Sequence, residues 1–272
     1  MTKIILYTAL SMILGAMVFF GSKAYKQAIL YEEATTELVS YQDAGQQASL
    51  KLEQFAKSLL GDLYDDERKI KLDKVREKQE AAMLKAQVYT VYFMGLLAVV
   101  LLSFFLVSLR TFTLFGSISA MVTLVLGLIT PILMVTIHKE VEYLGDIVLS
   151  FESKGVIGSI AKLFESGDVV VAIVILLFSV VTPVLKVLSL FIVSLFMESR
   201  FAHGLVKFFK MIGKWSMVDV FVVAVFLVYL TANKGEVSRA EVEMGLYFFL
   251  AYVIVSMLVS LSADRMLGKL KG

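Results

Sequence analysis

Two ionisable side chains stand inside runs that are otherwise apolar. Lys186 lies in Val180-Val-Thr-Pro-Val-Leu-Lys-Val-Leu-Ser189, about eleven residues from the inner end of its run. That is ~16 Å deep at a helical rise of ~1.5 Å per residue. Asp219 lies in Gly213-Lys-Trp-Ser-Met-Val-Asp-Val-Phe221, four residues beyond the only tryptophan and ~6 Å in from the same face. A lone charge at mid-membrane costs ~2.5–3.5 kcal/mol, so a partner or water is expected for each. A lysine stem snorkels toward the nearer face, which makes a Lys186–Asp219 pair geometrically reasonable. Such a pair either pins two helices together or lines a hydrated cavity that takes a head group or a proton.

The residues around these charges sharpen the pattern. Pro183 removes a backbone donor and is expected to open its helix locally. Thr130-Pro131 repeats the Thr182-Pro183 dipeptide, and two interrupted helices facing each other would suit a site at bilayer depth. Trp215 reads as an aromatic anchor at the membrane edge. Lys207, Lys210 and Lys214 follow at i, i+3 and i+7 with Leu205, Phe208, Phe209 and Ile212, a pattern suited to anionic head groups of the inner leaflet. The positive-inside rule alone would also produce it.

Composition sets the class. Hydrophobic residues make up 58% of the 272, well above a soluble domain, so the chain reads as an all-α polytopic membrane protein. The net charge of +2 gives no support for nucleic-acid binding. With no cysteine there is no thiolate nucleophile and no Cys-based zinc or iron–sulfur site. HExxH, GxSxG and Walker sequences are missing, and His138 and His203 fall at opposite membrane faces. No enzyme, metal site or cofactor is expected.

Six runs are long enough to span: approximately Ile4–Phe20, Val88–Leu109, Leu114–Ile137, Val169–Met197, Trp215–Ala232 and Met244–Leu261. The first, with Lys3 before it and Ser22-Lys23-Ala24 after it, is weighed against a signal peptide and read as an uncleaved anchor. With the N-terminus inside, the inner segments hold Lys3, Arg110, Arg200, Lys207, Lys210, Lys214, Arg265, Lys269 and Lys271 against only Glu198 and Asp264. Both termini are therefore expected in the cytoplasm.

The outer segments differ in character. Residues 24–87 read as a charged helical hairpin, with apolar residues such as Leu52, Phe55 and Leu59 at helical spacing and a turn near Gly61–Asp66. The second helix, from about Glu67, is expected to run unbroken into the Val88 span. This hairpin is a plain spacer, a docking arm or a dimerising coiled coil. Tyr143–Phe151 has strand character. Gly155–Phe164 places Val156, Ile157, Ile160, Leu163 and Phe164 on one helical face, either in the membrane interface or on the loop's own core. Together these form a small mixed cap.

The block Lys214-Trp-Ser-Met-Val-Asp-Val-Phe-Val222 resembles the [KR]-W-S-M-x-[DE]-V-F signature of the paraquat-inducible protein A family. Leu163-Phe-x3-Asp168 and Pro183-Val-Leu-Lys-Val-Leu resemble that family's preceding span. The similarity covers roughly residues 115–265, one four-span module. It implies a bacterial inner-membrane protein that passes phospholipid to or from a periplasmic MCE-domain partner. It makes Lys186 and Asp219, with Thr182, Pro183 and Ser216, candidates for a polar network in a lipid pocket. Many family members carry cytoplasmic Cys-x2-Cys zinc ribbons and two modules. This chain has neither, so a two-module mechanism would need a homo-oligomer.

The expected organisation is an anchor over 1–23, the periplasmic hairpin over 24–87, and a second span with a short turn over 88–113. A four-helix module over 114–265 and a tail over 266–272 follow. The expected function is phospholipid transport. The alternative is a non-transporting scaffold or envelope-stress subunit that anchors an MCE complex.

Overall fold

The computed structural model describes residues 2–41, 66–141, 145–196 and 238–268. Helix α1 (Thr2–Tyr41) is followed by α2 (Asp66–Leu102), a 3-10 turn at Ser103–Phe105 and α3 (Leu109–Ile129). Strands β1 (Leu133–Val141) and β2 (Gly145–Lys154) come next, then α4 (Val156–Glu165) and α5 (Val169–Leu176). A π-helical turn at Leu177–Val181 joins α5 to α6 (Thr182–Leu195). After the undescribed stretch come β3 (Ser238–Val242) and α7 (Met244–Gly268). Five of the described helical segments are long and apolar enough to cross a membrane, so the chain is a polytopic, predominantly helical membrane protein. The expected span Trp215–Ala232 lies outside the described residues, as do Leu52, Phe55, Leu59 and the turn near Gly61–Asp66.

Helix α1 spans 40 residues, ~60 Å at helical rise, so it fills the anchor run and continues well beyond it. Its buried residues explain the straight path. Leu10, Met17, Ala24, Tyr31 and Leu38 repeat every seventh residue, with Gly21, Ala28 and Thr35 between them. That is a heptad seam, and α2 answers it with Ala82, Ala86, Phe93, Leu97 and Val100. Gly21 against Phe93 and Thr35 against Gln79 show that the two helices run antiparallel. Small residues on both sides let the backbones approach closely, the packing that operates where lipid supplies no hydrophobic drive. A polar rung, Gln79 Nε2 donating to Thr35 Oγ1 at 2.8 Å, helps fix the register beyond the apolar run of α1. The described part of the hairpin is thus an antiparallel coiled coil within one chain.

This hairpin is packed along the remaining helices. Tyr7 shares a 3.0 Å hydrogen bond with Thr111 at the start of α3, and Phe93 meets Phe248 of α7 edge-on at 5.1 Å. Above the membrane, Tyr31 and Ala82 enclose Met134 of β1. Glu32 on α1 hydrogen-bonds Ser153 of β2. Burial pushes the Glu32 carboxyl above its ordinary 4.5, neighbouring Glu33 adds to this, and the Ser153 hydrogen bond opposes it.

The cap is a three-stranded antiparallel sheet in the order β2-β1-β3. Two sequence boundaries are corrected here. The third span was expected to continue to Ile137, but α3 stops at Ile129 with Thr130 as its C-cap, and Leu133–Ile137 are strand. Pro131 cannot donate to a helix, and the residue before a proline is driven to extended backbone; Thr130 has ψ 143°. Thr130-Pro131 therefore ends a helix rather than interrupting one. The second span was expected to reach Leu109 but unwinds at Ser103. The strand character of Tyr143–Phe151 corresponds to β2, displaced toward Lys154.

The outer ends of α3 and α7 are clamped together beside Thr130. Gly245 N donates to Pro131 O at 2.8 Å, and Glu243 N to Ile132 O at 2.9 Å. A Cβ on Gly245 would collide with the carbonyl oxygen of Thr130 and stand 2.6 Å from that of Pro131. One turn deeper, a Cβ on Gly127 would fall 2.8 Å from the backbone nitrogen of Phe249. Only glycine permits this approach of backbone to backbone.

Candidate functional site

Lys186 sits on α6, half-buried, where α6 faces α3 and α7. Its Nζ donates to Ser256 Oγ on α7 at 3.2 Å. Ser256 is 0% exposed and its own hydroxyl donates to Val253 O at 3.0 Å, so its lone pairs face the ammonium. Ser260 Oγ bonds back to Ser256 O at 2.7 Å, placing a second hydroxyl a turn below. The α3–α7 contacts run antiparallel, with Thr113 bonded to Ser262 at 3.2 Å, Gly116 against Val259 and Gly127 against Phe249. That register brings Ser119 and Thr123 to the level of Ser256 and Tyr252. All four are fully buried. The three helices thus share a layer of hydroxyls with one lysine in it, deep among apolar side chains.

The helix carrying Lys186 is opened one turn above it, as Pro183 implies. The opening takes the form of a π turn and not a break. Thr182 Oγ1 donates to Leu177 O at 2.8 Å, five residues back, and the backbone N–H of Thr182 points to the same carbonyl. Pro183 is buried at the start of α6 and brings no donor of its own. Thr182 therefore serves the backbone of the π turn.

At the inner end, Arg110 of α3 donates through Nε to Ser194 O and through Nη2 to Leu195 O, both at 3.1 Å. These are last-turn carbonyls of α6, which has no basic residue of its own there. A cation at this point satisfies orphan acceptors and the negative end of the helix dipole. Sequence reading counted Arg110 only as an inside charge. It also missed Ser256, although Ser256, Ser260 and Ser262 form a visible hydroxyl ladder in the last span.

Asp219, Ser216, Trp215, Lys207, Lys210 and Lys214 lie outside the described residues. Of the expected constellation, the structure thus places Lys186, Thr182 and Pro183 on one helix and gives the lysine Ser256 as a hydrogen-bond partner. Helix α4 has Ile160 buried, while Ile157 and Phe164 on the same face are 50% and 41% exposed.

Among known proteins, a relative from Haemophilus influenzae described as a "Probable intermembrane transport protein" is 26% identical over 117 residues. The match takes in 41% of this chain but only 28% of that relative, so the chain spans well under a third of its length. No solved structure matches. The sequence pattern of the paraquat-inducible protein A family matches residues 110–268, from the arginine that caps α6 to the last residue of α7. More than half of the chain lies in that match, and the protein belongs to the paraquat-inducible protein A family.

Proposed function

We propose that this protein is a bacterial inner-membrane component of a phospholipid transport system, working with a periplasmic MCE-domain partner. The observation that carries the reading is the Lys186–Ser256 contact, a cationic donor in a buried hydroxyl layer between three spans. An ammonium donor at that depth is costly as mere glue, whereas it complements the phosphate of a lipid head group. Lipid enters sideways between spans, rests its head group at Lys186 and its chains along Val, Leu and Phe faces, and leaves outward past the cap. Family membership and the name of the Haemophilus relative support a role in intermembrane transport. The protein acts as a carrier and not as an enzyme, needs no cofactor, and keeps both termini in the cytoplasm. The α1–α2 hairpin, continuous with two spans and clamped to the sheet, favours a second role as the arm that holds the partner.

Native mass spectrometry of the purified chain tests the reading together with a vesicle-to-vesicle phospholipid transfer assay. Bound phospholipid is expected on the wild type. Lys186→Ala should lose both the lipid and the transfer while retaining the same oligomeric state. Full transfer by that variant would sink the site.

A further inference from the structure

We infer that the π turn at Leu177–Val181 is a hinge, and that α4 and α5 above it swing as one lid over the side of α6 that carries Lys186. The inference rests on the transport reading for its purpose but on separate observations for its mechanics.

The helix that contains Lys186 is built in two unlike halves. Below the turn, Val187, Leu190 and Val193 are 1%, 7% and 1% exposed, and α6 packs on α3 and α7. Above it, Val170, Val171, Ile173 and Val174 are 76%, 50%, 51% and 48% exposed. Among the described residues the closely packed helical neighbour of α5 is α4. The two are folded onto each other through a corner at Gly167, whose φ of 86° favours glycine. Gly167 N and Asp168 N close that corner by donating to Phe164 O and Leu163 O. Helices α4 and α5 therefore form one unit that, among the described residues, is held to the rest through Ile160 and the packing of α4 on α3 and β2, less firmly than the half-helix below it.

The turn between the halves has the chemistry of a pivot. Its wide ring is held by Leu177 O, which receives both the amide and the hydroxyl of Thr182. Pro183 brings no N–H, so the turn has one hydrogen bond fewer to break when it bends. Single π turns and prolines are where long helices change direction. Thr182 and Lys186 are four residues apart and share a face, so bending at this turn opens the flank on which the lysine lies. The loosely packed half is where low-energy opening is expected, on the μs–ms scale of hinge motions.

Spin-label distance measurements on the full chain in phosphatidylethanolamine–phosphatidylglycerol nanodiscs test the hinge. The chain has no cysteine, so labels go only where they are placed. One pair, Val170→Cys with Tyr247→Cys, reports the outer half against α7. A second pair, Leu185→Cys with Met257→Cys, reports the inner half at the level of Lys186. The outer pair is expected to show two distance populations and the inner pair one. Thr182→Val should shift the ratio of the outer populations, and Thr182→Ser, which keeps the hydroxyl, should restore it. An outer distribution as narrow as the inner one overturns the hinge. So does a bimodal distribution indifferent to Thr182→Val, because the pivot then lies elsewhere. A Lys186→Ala variant that transfers lipid normally while the outer pair still shows two populations would defeat the lipid site and leave the hinge standing.

Discussion

Lys186 Nζ reaches Ser256 Oγ at 3.2 Å across the α6–α7 interface, joining a helix with a π turn to one without. If the contact is an energetic pair, its members are coupled. Stability of Lys186→Met, Ser256→Ala and the double variant should show a coupling of roughly 0.5–1.5 kcal/mol, the net worth of a typical hydrogen bond. In the transfer assay, Ser256→Ala should be slowed but active and Lys186→Ala inactive, because in the proposed transport role the serine positions the cation and the cation meets the phosphate. Equal loss in both variants would contradict that division of labour.

The α3–α7 clamp gives a stability prediction with a built-in control. Gly245→Ala forces a methyl into the carbonyls of Thr130 and Pro131, neither of which belongs to a flexible side chain. Such overpacking costs about 1–3 kcal/mol, more where backbone must move. The variant should unfold at distinctly lower temperature in detergent. Gly158→Ala, on an exposed helical position with nothing within 4 Å, should be unchanged or gain about 0.5–1 kcal/mol.

A pH prediction follows from Glu32, outside the membrane-spanning part of α1. Its carboxyl is raised mainly by burial, so the folded state holds the proton more tightly than the unfolded chain does. The contribution to stability is full below the ordinary value of 4.5 and is lost as pH rises through the folded value. Thermal stability measured from about pH 4 to about pH 8 should therefore decline through that window, and Glu32→Gln should flatten the decline. An identical profile in the variant would show that Glu32 is not the titrating group.

Arg110 makes a smaller, local prediction. Removing an exposed cation from a helix C-terminus costs about 0.3–1 kcal/mol, so Arg110→Gln should barely move global stability. Hydrogen exchange should nevertheless quicken in the last turn of α6, around Ser194 and Leu195. Unchanged exchange there would mean that water caps those carbonyls equally well.

Much of this arrangement was legible in the sequence, for reasons that differ by residue. Lys186 stood out because lysine is costly in an apolar run, and Pro183 because its effect on a helix is local. The continuous path of α2 from Asp66 into the membrane followed from unbroken helical patterning. What could not be read depended on contacts between distant segments. Ser256 is an ordinary serine until α6 is packed beside it. Leu133–Ile137 are apolar enough for a span and become strand once Pro131 has ended the helix, paired with β2 on one edge and with β3, from more than a hundred residues away, on the other. Strand β3 itself, Ser-Arg-Ala-Glu-Val, is too short and too polar to announce a strand. The heptad in α1 is visible once Leu10 to Leu38 are set in sevens. It is hidden by the change from membrane to water partway along, which alters residue type without altering the period.

The central position of β1 has a consequence for how the protein is made. Strand β1 leaves the ribosome well before its partner at Ser238–Val242, so for that interval one of its edges has no mate. An unpaired edge strand is a site of misassociation. The cap can close only after the segment just ahead of α7 has reached the side of the membrane on which β1 and β2 stand. Sheet formation thus records that the final membrane helix stands on the correct side. A chain truncated before Ser238 should insert its earlier spans yet expose β1 to proteases and chaperones of that compartment.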